Sequence, residues 1–457
     1  MIWDNKLLAE ALGIEIDFEF KAKGFYFNSK EVRAGDVFIA LKGENGDGHL
    51  YIESALHNGA SVVIAEKNDL NDPRIVVVEN TLDALYKMAH FKRSNVKATY
   101  IGVTGSVGKT STKEMLASYF SAYGKTTKTE GNFNNDLGVP ITLSRMPMDA
   151  TYAIIEMGMS SKGEIEKLTK IVNPKICIVT NVEAVHLEFF DSVEGIADAK
   201  SEIFMGTDES RIAVINIDNQ YAPRLISNAK KYGVKNIKTF GKSKEADIKL
   251  KSCGIIDSHT FVKVLYGENE YEYQIPVVGE HQAYNSMVCI LAASSLSLNP
   301  SAGISTLKDM EIAKGRGEIF ASQIDGKRIT IVNEAYNASP AAVKAVLMAY
   351  GQKFAQSRKI AVLGDMKELG ESAQNFHANL ADDIYQSGID LVVCVGDMMK
   401  NLYNNLEENY RFGYFINIDE MMNSDILKKI NDGDVLIFKG SNSMRLYKMA
   451  DSLKLSS

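Results

Sequence analysis

The sequence predicts an α/β protein of three domains, and three observations lead to this fold class. The chain has 457 residues, which is more than a single hydrophobic core usually organises. Segments that read as strands alternate with helical segments along most of the chain, a pattern typical of mostly parallel sheets. One glycine-rich turn joins a predicted strand to a predicted helix, as in phosphate-binding domains.

Residues 1–96 are predicted to form a small α/β domain. The strands are expected over residues 37–41, 61–65 and 75–78, and the helices over residues 51–58 and 82–92. Between the first strand and the first helix, residues 42–49 are polar and rich in glycine. From composition alone, this segment is either a ligand-binding loop or a solvated turn.

The central domain, predicted over residues 97–313, opens with a phosphate-binding pattern. A strand expected over residues 98–101 passes through glycines into a helix expected over residues 111–123. Such a turn directs backbone N–H groups and the positive helix end at one point, which suits a phosphate. Lys109 can reach the outer phosphates, and the Thr110 hydroxyl can bind magnesium. The alternative is a glycine-rich turn that binds nothing.

This pattern departs from the general one, because Val103 stands where G-x-x-x-x-G-K-[ST] has its first glycine. The shorter pattern T-G-x-x-G-K-T is complete. It consists of Thr104, Gly105, Ser106, Val107, Gly108, Lys109 and Thr110. Since it joins a strand to a helix, we interpret it as a nucleotide-binding loop.

Three further side chains of the central domain lie where such a fold places its site. Glu156 ends a predicted strand, His186 follows the next strand, and Lys200 lies on a predicted helix. Carboxyl ends of parallel strands gather ligands and magnesium-side acids. Taken singly, each residue is equally well explained as an ordinary surface or core residue. The remaining expectations are strands over 152–155, 176–179 and 212–215, a loop over 129–140, helices over 193–203 and 286–296, and short strands between 234 and 278.

Residues 314–457 are predicted to form a second doubly wound, Rossmann-like unit. The strands are expected over residues 329–332, 359–363, 391–395, 414–416 and 435–438, and the helices near residues 341–350, 373–386, 398–406, 419–430 and 443–452. Three loops follow strands in this unit, over residues 333–340, 364–370 and 439–442. Because parallel strands end at one edge of a sheet, these loops are expected to meet.

Bulk properties exclude several classes of protein. A net charge of −7 argues against nucleic acid as the main partner. No apolar run is long enough to span a membrane, and the N-terminus lacks the layout of a signal peptide, so we expect a cytoplasmic protein. The four cysteines lack metal spacing and read as reduced core residues. We expect a monomer that acts on small molecules.

Taken together, the motifs resemble the Mur ligase family, ATP-dependent enzymes that form amide bonds in bacterial cell-wall synthesis. The resemblance rests on Thr104 to Thr110, Glu156-Met157-Gly158, Thr180-Asn181, His186-Leu187-Glu188, Ala199-Lys200-Ser201-Glu202, Gly279-Glu280-His281 with Asn285, and Gly315-Arg316. It covers nearly the whole chain. In the first domain, Gly35 to Gly43 with Asp47-Gly48-His49 is similar to the UDP-sugar domain of the last two ligases.

In the third domain, the chain resembles the final ligase of that series, which joins D-alanyl-D-alanine to UDP-N-acetylmuramoyl-tripeptide through an acyl phosphate. The resemblance is carried by Tyr336-Asn337-Ala338 with Pro340, Gly364-Asp365-Met366 with Glu368-Leu369-Gly370, and Lys439-Gly440-Ser441. The preceding ligase carries an Asp-Asn-Pro-Arg string in its last domain. This chain has Asn71-Asp72-Pro73-Arg74, in which the first two residues are in the reverse order and which lies in the first domain rather than the last.

The resemblance implies ATP and Mg²⁺ as cofactors and gives roles to individual residues. Asn285 and Arg316 join the phosphate loop in binding ATP. Thr110 and Glu156 hold a first magnesium, His186 holds a second near the acceptor carboxylate, and a carbamylated Lys200 helps to hold the metal. Lys109, Glu156, His186 and Lys200 are the implied catalytic residues. The UDP substrate is assigned Ser29, Lys30, Lys42, Gly43, Asp47 and His49, and the dipeptide is assigned Glu334, Tyr336, Asn337, Lys439 and Ser441.

Four departures from the family's pattern leave the acceptor and the amine open. Asn28-Ser29-Lys30 stands where the family has Asp-Ser-Arg, and Asn333 replaces the first of two paired acids. Gln282 stands where the family has asparagine, and Asn442 stands where it has arginine. One alternative is therefore a related ligase that acts on a different amine or acid. Another is a nucleotide-dependent binding or regulatory protein without ligase activity, against which Lys109, Glu156, His186 and Lys200 argue.

Overall fold

Three mainly parallel sheets organise the chain, and separate hydrophobic cores pack against them. The computed structural model describes residues 1–43 and 46–454. The predicted three-domain α/β architecture is confirmed. Within the described part of the chain, no helix is both long and apolar enough to cross a lipid bilayer.

The first sheet has four parallel strands in the order β3-β4-β7-β8. The elements of this part are β1 (Trp3–Asp4), α1 (Asn5–Leu12), β2 (Lys21–Ala22), β3 (Phe25–Tyr26), β4 (Val37–Ile39), β5 (Lys42–Gly43), β6 (Gly46–Asp47), α2 (Ile52–His57), β7 (Val62–Ala65), β8 (Ile75–Val77) and α3 (Thr81–Asn95). The predicted strands and helices are all present. In the segment 42–49, β5 pairs with β6, and residues 44 and 45 lie outside the described residues.

The central sheet has nine strands in the order β10-β11-β9-β12-β13-β14-β15-β16-β17. Its elements are β9 (Thr99–Thr104), α4 (Lys109–Ser121), β10 (Thr126–Lys128), α5 (Gly138–Ser144), β11 (Tyr152–Glu156), α6 (Glu164–Val172), β12 (Ile176–Val179), α7 (Val193–Ser201), β13 (Ile212–Asn216), α8 (Ala222–Lys231), β14 (Asn236–Gly241), β15 (Ile248–Ile256), β16 (His259–Tyr266), β17 (Asn269–Ile275), α9 (Glu280–Ser295) and α10 (Pro300–Leu307). The strands are parallel up to β15, and β16 and β17 continue the sheet antiparallel.

Burial on both faces explains the apolar runs of the central strands. Tyr100 of β9 packs into one core layer and Ile101 into the opposite layer. Two expectations are corrected here. The helix after the phosphate loop begins at Lys109 rather than residue 111, because Gly108 completes the turn with a left-handed backbone. The predicted loop over 129–140 ends early, because Asn135 accepts a hydrogen bond from the Gly138 N–H at the start of α5.

The third sheet has six strands in the order β18-β19-β23-β20-β21-β22, with β18 antiparallel at one edge. Its elements are β18 (Glu318–Ile324), β19 (Lys327–Asn333), α11 (Pro340–Lys353), β20 (Lys359–Gly364), α12 (Ala373–Ser387), β21 (Leu391–Val395), α13 (Met399–Asn405), β22 (Arg411–Phe415), α14 (Ile418–Met422), β23 (Val435–Lys439) and α15 (Leu446–Ser452). The prediction missed β18. The helix expected over 419–430 is also wrong, because the Ser424 hydroxyl caps a separate 3₁₀ turn at Asp425–Lys429.

Direct contacts tie the units to one another. The Arg145 guanidinium donates from Nε to the Phe25 carbonyl (2.9 Å), and the Trp3 indole donates to the Ser144 carbonyl (2.8 Å). On the other side, the Lys353 ammonium of α11 donates to the Asp257 carbonyl, in the turn between β15 and β16. The central unit is therefore held from two sides.

Candidate active site

The phosphate loop lies between β9 and α4, and two glycines set its shape. Gly105 (φ +149°) and Gly108 (φ +86°) have backbone conformations that residues with a Cβ rarely adopt. A Cβ on Gly105 would lie 1.9 Å from Thr180 Oγ1, and one on Gly108 would lie 2.6 Å from Asn285 Oδ1. Thr180 in turn donates a hydrogen bond to the Val107 carbonyl (2.6 Å). The loop is thus a close-packed backbone cradle of the kind that binds phosphate.

The Lys109 ammonium lies over this cradle. Its Nζ donates hydrogen bonds to the carbonyls of Gly105 (2.7 Å) and Ser106 (3.3 Å). Removal from water lowers the pKa of Lys109, and the nearby charge of Glu156 acts in the opposite direction. A phosphate on the loop would meet this cation directly.

Glu156 ends β11 and is 1% exposed. Its Oε1 accepts hydrogen bonds from Asn134 Nδ2 (2.8 Å) and from the Thr110 hydroxyl (3.3 Å). Its backbone N–H donates to the Thr129 hydroxyl (3.0 Å). The other carboxylate oxygen, Oε2, has no hydrogen-bond partner in the described structure, and Lys113 Nζ lies 3.9 Å from it.

Magnesium fits this arrangement. A buried carboxylate oxygen without a partner, next to a threonine hydroxyl, offers the oxygen ligands that this ion prefers. Among the described residues, no group of three or more His, Cys, Asp or Glu side chains forms a ready-made metal cage. That also suits magnesium, which usually takes one or two carboxylates and completes its shell with water and substrate phosphates.

His186 follows β12 and meets a residue of the third sheet. Its Nδ1 lies against the Glu368 carboxylate, and Glu368 belongs to the loop after β20. Contact with His186 lowers the pKa of Glu368, and burial opposes this shift. Both residues have left-handed backbone conformations, with φ of 58° at His186 and 64° at Glu368.

Lys200 lies on α7 and is 1% exposed. Burial lowers the pKa of its amine well below the usual range, and the charge of Lys109 adds to this effect. Burial therefore favours the neutral form of this amine. It lies behind the cavity wall rather than on it.

Asn285 and Arg316 flank the phosphate loop from α9 and from the segment before β18. Asn285 is 8% exposed, and its Nδ2 donates to Gln282 Oε1 (3.1 Å). The guanidinium of Arg316 stacks over the Tyr336 ring, 4.4 Å from its centre. Burial, with help from the charge of Lys439, lowers the pKa of His281 to about 4. The start of α9 therefore presents the amide of Asn285 and the imidazole of His281, which is neutral at physiological pH.

The three predicted loops of the third sheet do meet. Ser441 N–H donates to the Asp365 carbonyl (3.1 Å), and Ser441 Oγ accepts from Lys367 N–H (3.0 Å). Lys439 Nζ donates to the Glu334 carbonyl (2.9 Å) and lies 3.9 Å from Glu334 Oε2. Burial raises the pKa of Glu334 and lowers that of Lys439 to about 8. The Lys439 side chain is thus already paired with Glu334.

One cavity of about 1640 Å³ joins these groups. It is larger than the usual small-molecule pocket, so it has room for more than one substrate. Its wall includes Lys109, Thr110, Glu156, His186, Asn285 and Arg316, together with Glu334, Tyr336, Asn337, Lys439 and Ser441. The central and third sheets therefore face each other across one chamber.

The residues predicted for the UDP substrate do not line this chamber. Lys42 Nζ donates a hydrogen bond to Glu66 Oε2 (2.5 Å). His49 Nε2 accepts a hydrogen bond from the Glu66 backbone N–H (3.0 Å). His49 Nδ1 lies 2.6 Å from Asp47 Oδ1. Ser29 is buried in a separate turn, whereas the neighbouring Lys30 is exposed. Gly43 pairs with Gly46 in the hairpin.

The four departures from the family's pattern lie in different places. Asn333 is fully buried and turns away from the chamber, donating to the Tyr447 carbonyl (3.2 Å) and to Asp451 (3.0 Å). Gln282 bonds to Asn285, and the Asn28 side chain accepts from Lys30 N–H (3.2 Å). Gln282 and Asn442 both line the chamber, and the Asn442 carbonyl also accepts from Arg445 N–H (3.0 Å) in the 3₁₀ turn Asn442–Met444.

Sequence reasoning missed three residues of the site. Lys113 lies one helical turn after Lys109, a spacing that could have indicated it. Asn134 lies in the polar loop that was expected, and only its contact with Glu156 distinguishes it from its neighbours. Glu368 belongs to a predicted loop but meets His186 from another sheet, so local sequence gives no signal for that contact.

Family models and known proteins match the chain along its length. Residues 21–105 match the model described as Mur ligase family, catalytic domain; residues 103–293 match the Mur ligase middle domain; and residues 315–442 match the Mur ligase, glutamate ligase domain. The chain is 37% identical over 453 residues to a Rickettsia prowazekii protein named UDP-N-acetylmuramoyl-tripeptide--D-alanyl-D-alanine ligase, covering 99% of each chain. A Bacillus subtilis protein of the same name is 30% identical, covering 94% of this chain and 93% of that one.

Solved structures agree with these matches. A crystal structure of MurF from Acinetobacter baumannii has a TM-score of 0.82 at 27% identity and covers 99% of this chain and 98% of that one. The structure of MurF ligase from Thermotoga maritima in complex with ADP has a TM-score of 0.76 at 30% identity. The match covers 94% of this chain and 98% of that one. The site geometry, the three family models and the full-length relatives agree, and the chain belongs to the Mur ligase family.

Proposed function

We propose that this chain joins D-alanyl-D-alanine to UDP-N-acetylmuramoyl-tripeptide at the expense of ATP, in the synthesis of peptidoglycan precursors. The observation that carries this proposal is the shared chamber, with the phosphate loop on one wall and the third-sheet loops on the other. The names of the full-length relatives supply the substrates. ADP in the similar Thermotoga maritima structure supports ATP as the nucleotide.

The chemistry follows from the barrier to amide formation. A free carboxylate has no usable leaving group, so ATP first phosphorylates it to an acyl phosphate. The dipeptide amine then attacks the acyl carbon, and phosphate leaves. Lys109 and the loop N–H groups stabilise charge on the transferring phosphoryl group. Thr110 and Glu156 would hold one magnesium ion and His186 a second, and both ions would supply further positive charge there.

The division of labour among the domains is part of the proposal. Residues 1–96 bind the UDP-muramoyl portion through the hairpin and turn around Ser29, Lys30, Lys42, Gly43, Asp47 and His49. Residues 97–313 bind ATP, and residues 314–457 bind the dipeptide. Tyr336, Asn337 and Ser441 line the chamber on the dipeptide side, next to the paired Glu334 and Lys439. We expect the enzyme to act as a monomer on small-molecule substrates.

Lys200 acts as a carbamate in this proposal. A lysine amine adds CO₂ only in its neutral form, and burial favours that form at this position. The resulting anion would help to order the metal site from behind the chamber wall. A Lys200→Ala variant that keeps full activity would rule out this role.

The reaction is tested by phosphate release and product mass with ATP, UDP-muramoyl-tripeptide and D-Ala-D-Ala. Product with D-Ala-D-Ala is the expected result. Asn442, which lines the chamber where the family has arginine, favours one second candidate, a ligase for another amine. Product with a different dipeptide alone would support that candidate. No product with any amine would overturn the ligase assignment.

A further inference from the structure

The contact between His186 and Glu368 links the central and third sheets at the chamber. His186 comes from the loop after β12, and Glu368 from the loop after β20. Nδ1 of the imidazole lies in direct contact with the Glu368 carboxylate. This nitrogen is buried and makes no hydrogen bond of good geometry within the described chain.

The contact assigns different tasks to the two ring nitrogens. Histidines that bind metals usually donate the N–H of the other ring nitrogen to a carboxylate, which fixes the tautomer and the direction of the ring. A proton on Nδ1 would face the Glu368 carboxylate and would leave Nε2 with a free lone pair. Nε2 is then the nitrogen that is available to a ligand in the chamber.

The local backbone supports this contact from both sides. The left-handed conformations of His186 and Glu368 cost energy for residues with side chains and persist only where the surroundings hold them. Leu369 is 2% exposed and anchors the third-sheet loop. At Gly370, a Cβ would lie 3.5 Å from the backbone of Leu187 and Glu188, so the two loops touch along their backbones.

We propose that Glu368 is a positioning residue, supplied by the third domain, that orients His186 of the central domain for metal binding. Docking of the third domain and the metal affinity of the central domain are thereby coupled. This inference rests on the role of His186 in the proposed function. It does not depend on which acid or amine is joined.

The tautomer of His186 tests the proposal without any metal or substrate. Histidine labelled with ¹⁵N gives the protonation of each ring nitrogen by NMR, and His186→Ala identifies the signal among the seven histidines. In the wild type, we expect the proton on Nδ1. In Glu368→Gln, we expect a shift toward the Nε2–H form. A wild-type proton on Nε2, or a tautomer unchanged in the variant, would overturn the proposal.

Metal binding supplies the second readout, with Mn²⁺ titrated in the presence of ADP and followed by electron paramagnetic resonance. We expect Glu368→Gln to weaken Mn²⁺ binding by about 10–100-fold, the usual effect of losing such a carboxylate. In the His186→Ala background, Glu368→Gln should have no further effect. Equal losses in both backgrounds would show that Glu368 acts independently of His186 and would overturn the proposal.

Glu371→Gln is the matched control, because Glu371 is an exposed carboxylate three residues further along the same loop. Both readouts should be unchanged in this variant. Circular dichroism and thermal unfolding check that each variant folds. Should Glu368→Gln fail to fold, Glu368→Asp takes its place with the same expectation, since its shorter side chain withdraws the carboxylate from Nδ1. Mn²⁺ binding without acid or amine separates this result from the outcome of the ligation assay.

Discussion

Lys113 is a fully buried lysine on α4 that is surrounded by opposite charge. Its Nζ lies 2.9 Å from Glu114 Oε1 and 3.9 Å from Glu156 Oε2, and it donates to the Gly131 carbonyl (3.4 Å). A buried charge of this kind is tolerated only when its partners are in place. Lys113 therefore balances the negative charge of Glu156 and connects it to the loop before α5.

Replacing Lys113 by methionine should lower the free energy of unfolding by about 3–5 kcal/mol, because the buried Glu156 loses the cation that faces its unpartnered oxygen, whereas Glu114 keeps its pair with Lys128. Urea unfolding measures the change. Lys125→Met is the control, since Lys125 forms an exposed pair with Asp149 and should cost at most about 1 kcal/mol. Equal losses in the two variants would contradict the assigned role of Lys113.

The sequence identified residues whose chemistry is local and missed those whose contacts are tertiary. The phosphate loop could be predicted because all its groups lie within seven consecutive residues, Thr104 to Thr110. Glu156 and His186 could be placed by their position after strands. The contact of Glu368 with His186 could not be predicted, because it depends on how two sheets dock.

At the level of elements, α4 and α6 begin in the same way. Gly108 and Gly163 precede these helices, with nearly equal φ values of 86° and 88°. Their surroundings differ, because a Cβ on Gly108 would lie 2.6 Å from Asn285 Oδ1, whereas a Cβ on Gly163 would have no atom within 4 Å. An alanine at either position would strain the backbone, but only an alanine at Gly108 would also crowd the phosphate loop. Comparing the two substitutions therefore distinguishes the effect of strain from the effect of crowding.

Gly108→Ala and Gly163→Ala should each lower the free energy of unfolding by about 1–2 kcal/mol, the cost of a left-handed residue with a side chain. Only Gly108→Ala should also weaken ADP binding, by about tenfold or more, because Asn285 must move. Urea unfolding and isothermal titration with ADP measure the two effects. Weaker ADP binding in Gly163→Ala would show that strain alone is responsible.

Secondary structure could be predicted where apolar runs and glycine turns agreed, as in the strand at Ile176–Val179. The prediction failed where side chains cap the backbone. Ser424 divides the expected helix over 419–430, and Asn135 starts α5 inside an expected loop. The edge strand β18 was missed because only two of its seven positions are buried, so its apolar pattern is weak.

At the scale of the molecule, Arg145 joins the first and central domains. Its Nε donates to the Phe25 carbonyl, its NH1 pairs with Glu130 (2.7 Å), and its guanidinium stacks near the Tyr26 and Phe133 rings. A planar group is needed for this combination of stacking and directed hydrogen bonds. Arg145 therefore holds the proposed UDP-substrate domain at a set angle to the ATP domain.

Arg145→Lys should raise the KM for the UDP-muramoyl substrate several-fold and leave the KM for ATP unchanged, because the charge remains while the directed contacts are lost. Steady-state kinetics with each substrate varied in turn measure this difference. Arg224→Lys provides the comparison, since Arg224 pairs with Asp198 within the central domain. A KM for ATP that rises equally in Arg145→Lys would be inconsistent with an interdomain role.

The shared chamber has a consequence for the timing of turnover. Its walls are loops from two sheets, and His186 and Glu368 meet across it. Opening and closing of such walls often limits turnover more than the chemistry does. We therefore expect separation of the domains to limit turnover, and we expect a more viscous solvent to lower the steady-state rate.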